Sequence, residues 1–88
     1  MKVKGKYVLR QVAKTWVVMP LGMTTLDLNG MLTLNESGAI LWKALEQGGD
    51  RAAMVRALRS EYDVSPEQAE ADVERFLAKL AAAGVLAL

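Results

Sequence analysis

Between Leu32 and Trp42 the hydrophobic period changes, and that change divides the chain into a sheet half and a helical half. Leu32 and Leu34 alternate with Thr33, the period of two that a strand requires. Asn35 follows as a helix cap, because its side-chain oxygen can accept a backbone N–H that the first turn leaves unpaired. Ala39, Ile40, Leu41, Trp42, Ala44 and Leu45 then cover most of a helix circumference. A helix apolar on so many sides is expected to stand inside the domain with other elements packed around it.

The N-terminal half reads as strands. Tyr7–Val12 and Thr15–Met19 are rich in β-branched and aromatic residues, and Ala13-Lys14 is expected as the hairpin turn between them. Neither turn residue favours positive φ, so the hairpin rests on the short gap and its strand-like flanks. Pro20 and Gly22 end the second strand. Asn29-Gly30 is a turn signal that either folds 26–28 back on 31–34 or leads the chain into a third strand at 31–34. The C-terminal half reads as helices. The first spans about 35–47 and stops at Gly48-Gly49; the second spans about 51–61 after the Asp50 cap. The third begins at Ser65-Pro66-Glu67-Gln68 and carries Ala69, Val73, Phe76, Leu77 and Leu80 on one face. Gly84 ends it, and Val85-Leu86 is expected to pack back as an apolar tail. The order β-β-β-α-α-α makes this an α+β chain, a three-stranded antiparallel sheet followed by three helices, the last two forming a helix-turn-helix-like pair. At 88 residues it is a single domain over 1–88, with the Lys-rich 1–6 expected to fray.

Composition narrows the chemistry. There is no Cys and no His, which excludes disulfides, thiolate or imidazole ligands and a His-based triad. No acidic cluster has the loop spacing of a carboxylate metal site, so neither metal nor cofactor is expected. An apolar content of 52% supplies a core without such staples. Charge is uneven: up to residue 34, Lys2, Lys4, Lys6, Arg10 and Lys14 face Asp27 alone, and beyond it nine acids outnumber six bases. That is weaker than the basic stripe of a dedicated nucleic-acid binder. No apolar run approaches the roughly 20 residues of a membrane span, and no signal-peptide core opens the chain, so a cytoplasmic, membrane-free location is expected.

No catalytic constellation stands out. Glu67, Glu70, Asp72 and Glu74 crowd the start of the third helix, where acids complement the helix dipole. Trp16 and Trp42 read as packing residues. Met19, Met23 and Met31 read first as core filler, with adaptable lining of a peptide groove as the alternative. The geometric feature of interest is the sheet edge. A three-stranded sheet leaves edges with unpaired N–H and C=O groups, and a groove between the third strand and the third helix could take an extended peptide as an added strand.

The segments Val8-Leu9-Arg10, Leu28-Asn29-Gly30, the run Leu34 to Trp42, Glu61-Tyr62-Asp63-Val64, Glu70-Ala71-Asp72-Val73, and Leu80 with Gly84-Val85-Leu86 resemble the PqqD family over about 7–86. This is the family of the pyrroloquinoline quinone (PQQ) biosynthesis protein D and of recognition domains for ribosomally made, post-translationally modified peptides. Ala13-Lys14 departs from it by lacking a turn Gly. The resemblance implies a winged-helix-like domain without catalysis of its own. It would bind a precursor's leader peptide beside the third strand and against the third helix, and present it to a modifying enzyme such as a radical SAM protein. Carried over residue by residue, Met31, Leu32, Thr33 and Leu34 become backbone partners. Phe76 becomes the pocket floor, and Asp72, Arg75 and Lys79 become charged contacts. Competing readings are a winged-helix DNA binder, which the acids of the third helix oppose, a homodimerising module that pairs its open edge, and a metal-free enzyme.

Overall fold

The computed structural model describes residues 2–21 and 32–87. In chain order these form β1 (Lys2–Val3), β2 (Tyr7–Val12), β3 (Thr15–Pro20), β4 (Leu32–Leu34), α1 (Glu36–Glu46), α2 (Arg51–Glu61), α3 (Pro66–Ala82) and β5 (Leu86–Ala87). The main sheet is antiparallel in the order β2-β3-β4, and β1 pairs with β5 in a second, two-stranded sheet. The expected three strands and three helices are all present. The Asn29-Gly30 turn, Met31 and a strand near 26–28 lie outside the described residues.

Two differences from the sequence reading have physical causes. The N-terminal segment was expected to fray; instead Lys2 pairs with Ala87 and Val3 with Leu86. The Lys4 N–H also donates to the Val85 carbonyl at 2.7 Å. Val3 is half-buried against the core, and its contact partner is more than eighty residues away, beyond the reach of local pattern. Gln68 stands three residues after the Ser65 cap, the spacing at which a capping-box side chain reaches back to the cap. Ser65 does accept the Gln68 backbone N–H at 3.1 Å, but the Gln68 amide donates to Asp72 at 2.9 Å instead.

The β2–β3 hairpin closes at Ala13-Lys14 as expected, with Val12 opposite Thr15. Ala13 carries the strain, at φ 56. Positive φ at the first central residue alone is the pattern of a type II′ turn, which a glycine would adopt without strain. Ala13→Gly is therefore expected to stabilise the domain by about 0.5–1 kcal/mol, the left-handed cost of Ala less the entropy of Gly. Urea unfolding checks this.

Helix ends follow local chemistry. Asn35 accepts the Gly38 N–H at 2.8 Å, and Asp50 accepts that of Ala53 at 2.9 Å. At the end of α1, Gly48 donates to the Leu45 carbonyl and Gly49 to that of Ala44, both at 3.0 Å, a Schellman pair. Gly48 supplies φ +80, and a Cβ on Gly49 would lie 2.6 Å from the Ala44 carbonyl oxygen. The same bonds end α3, where Val85 turns back onto Leu80 at 3.0 Å and both side chains are buried.

The core gathers Val18 and Leu34 from the sheet, Leu41, Trp42 and Leu45 from α1, and Met54, Leu58, Val73, Phe76, Leu77 and Leu80 from α2 and α3. Helix α1 packs on β3, β4, α2 and α3, as its broad apolar surface predicts. Trp42 is 1% exposed, and Tyr7 meets it edge to face at 5.9 Å between ring centres. Trp16 is half-buried, with the Lys43 ammonium 4.6 Å from its ring centre.

Candidate peptide groove

Strand β4 is an edge, and its hydrogen-bonding parity follows from the hairpin two strands away. A two-residue turn makes Val12 and Thr15 a bonded pair. Every second pair then exchanges bonds, which gives Arg10 with Val17 and Val8 with Met19. The Leu21 N–H continues the series by donating to the Lys6 carbonyl at 2.8 Å. Val17 thus spends its N–H and C=O on β2. Thr33 sits opposite Val17 on the other side, so its own backbone groups face away from the sheet. Leu32 and Leu34, opposite Val18 and Trp16, turn theirs inward to β3. The expected backbone partners at 31–34 narrow, among the described residues, to Thr33.

The outward carbonyl of Thr33 faces α3, and Lys79 Nζ donates to it at 3.0 Å. Between β4 and α3 runs an open groove of about 670 Å³. Of the residues singled out from sequence, Thr33, Leu34, Asp72, Arg75, Phe76 and Lys79 line it; Leu32 does not, and Met31 is outside the described residues. Phe76 is both core and groove wall, 7% exposed within the buried cluster. Leu80, on the same apolar face of α3, is fully buried.

The charges are arranged unevenly. Arg75 lies farther round the helix than its neighbours, yet its guanidinium folds back to pair with Asp72, which also accepts from Gln68. The Arg75 side chain is 72% exposed, so this pair contributes little stability. Lys79 meets a neutral carbonyl instead, and no described carboxylate lies within bonding distance of it. Of the other acids of α3, Glu74 is bonded to Arg51 of α2 at 2.6 Å. Among the described residues no three acids converge as a metal site, and no helix is long and apolar enough to cross a membrane.

Sequence reasoning missed the far end of the groove. Asn35, Ser37 and Gly38 line it where α1 begins, and Leu58 reaches it from α2. The Asn35-x-x-Gly38 spacing was the available signal. A Cβ on Gly38 would stand 3.1 Å from Leu34 Cβ, so a larger residue there would have to push the first turn of α1 and Leu34 apart by a few tenths of an ångström. Beyond Leu58 the groove runs on past Tyr62 and Val64. Burial, with the carboxylates of Glu36 and Glu61, pushes the Tyr62 hydroxyl above the usual phenol range.

A family model described as coenzyme PQQ synthesis protein D (PqqD) matches residues 15–86. The chain belongs to the PqqD family. Among solved structures, this PqqD-family chain is similar to one described as TbiB1 in complex with the TbiA(beta) leader peptide. The TM-score is 0.76 and the identity 28%, over 98% of this chain and 94% of the other. None of the curated proteins gives a significant match. The α+β fold, a β2-β3-β4 sheet followed by three helices, is that of a PqqD-like recognition domain.

Proposed function

We propose that this PqqD-family chain is a non-catalytic recognition domain. It binds the leader of a ribosomally made precursor peptide as a strand added to β4, against α3, and presents it to a modifying enzyme. A radical SAM enzyme is the candidate that the family resemblance suggests. The observation that carries the reading is the outward N–H and C=O of Thr33 at the lip of a groove walled by Phe76 and flanked by Asp72, Arg75 and Lys79. An extended peptide satisfies those groups by backbone bonds and takes its specificity from the side chains across the groove. The similar structure with a bound leader peptide supports it. A DNA-binding role is disfavoured by the exposed Glu67, Glu70 and Glu74 on α3, which would face phosphates.

The test is an amide-shift titration of the labelled protein with a synthetic leader, taken from a precursor peptide encoded beside this gene. Saturable shifts at Thr33 and along 72–79 are the expected result. Saturable shifts elsewhere, with Thr33 untouched, would sink strand addition. Adding the purified modifying enzyme to the complex should then broaden the amide signals of the labelled domain.

A further inference from the structure

The contact between Lys79 and the sheet edge does more than fill space. Thr33 and Lys79 are 46 residues apart in sequence, and Lys79 is exposed, so its ammonium is free to stay in water. It bonds instead to the one β4 carbonyl that the ladder leaves open. We infer that Lys79 is a removable cap on the β4 edge. It selects peptides that bring a carboxylate to the place where they displace it. The inference rests on the strand-addition reading above.

The argument is one of competition for an acceptor. An added strand pairs with β4 by donating an N–H to the Thr33 carbonyl, the same oxygen that the ammonium now holds. The ammonium must then move. No carboxylate among the described residues is within bonding distance of it: Asp72 is paired with Arg75 and Gln68, and Glu74 with Arg51. On one flank stands the Phe76 wall, and on the other the arriving peptide. A cation displaced into that partly dried position is left without a partner unless the peptide supplies one. The partner is an Asp or Glu on the α3-facing side of the added strand, within about one residue of the position opposite Thr33, because side chains on one face recur every second residue. Without a peptide the same contact blunts an edge that would otherwise pair with another sheet.

A phage-displayed library of random twelve-residue peptides, panned against the full chain as wild type, Lys79→Met and Lys79→Glu, tests this. Selected peptides are synthesised, and those that shift the Thr33 and Leu34 amides are kept. For the wild type, these peptides are expected to share one acidic position, and neutralising it (Asp→Asn or Glu→Gln) weakens binding roughly tenfold or more. With Lys79→Met the same neutralisation has no effect, and Lys79→Glu selects Lys or Arg at that position. In the free protein, Lys79→Met is expected to move the Thr33 carbonyl carbon resonance. Thr33-directed peptides with no shared acid, an acid whose neutralisation costs as much in Lys79→Met, or an unmoved carbonyl resonance would each overturn the cap while leaving strand addition standing. If no selected peptide reaches Thr33 in any of the three proteins, strand addition falls and the cap falls with it.

Discussion

Thr33→Pro is expected to lower leader affinity at least roughly tenfold while the domain still folds. The Thr33 N–H points away from the sheet, so proline there removes no bond of the β3–β4 ladder. The residue before a proline is biased to extended backbone, which is what Leu32 already adopts in β4. The cost to stability should stay near 1 kcal/mol, while an added strand loses a hydrogen bond and meets the ring where the N–H was. Thr33→Val keeps the N–H and the β-branched shape and should bind like wild type. Calorimetric titration beside urea unfolding separates the two effects. A folded Thr33→Pro protein with undiminished affinity would mean that the leader does not pair with β4.

Trp42→Ala is expected to be the most destabilising single change in the domain, by about 3–5 kcal/mol. Trp42 is buried where Tyr7 meets α1, and its truncation leaves a cavity between the sheet and the helices. Domains of this size commonly have only about 5 kcal/mol to lose, so much of the variant should be unfolded at 37 °C. Trp42→Phe refills most of the volume and should recover at least half of the loss. Denaturant midpoints measure both. A loss below about 1 kcal/mol for Trp42→Ala would show that α1 is not the post around which the domain packs.

The sequence was most legible where a few adjacent residues decide the outcome. Asn35, Asp50 and Ser65 each start a helix because the acceptor lies three residues from its donor, and the two Schellman endings follow from Gly48-Gly49 and Gly84. Helical period alone sets Asp72, Phe76 and Lys79 on one flank of α3. Arg75, placed farther round, joins the groove only because a long side chain can bend back to Asp72. What local pattern could not supply is parity. Whether Thr33 or Leu34 offers its backbone outward depends on the register of β3 with β4, and the eleven residues 21–31 separate them in sequence. The pairing of Lys2 with Ala87 was out of reach for the same reason, since neither two-residue strand has a period to detect.

That terminal pairing bears on how such a domain can be attached to other machinery. Lys2 and Ala87 are neighbours, so a tether grafted onto either end starts from nearly the same spot on the surface. The distance from that spot to the groove is then nearly independent of fusion order. For a recognition domain joined to an enzyme, the encounter frequency between bound peptide and catalyst depends on linker length and stiffness, and hardly on which partner comes first in the gene. Swapping the order of two modules is thus a mild change here, whereas halving the linker is not.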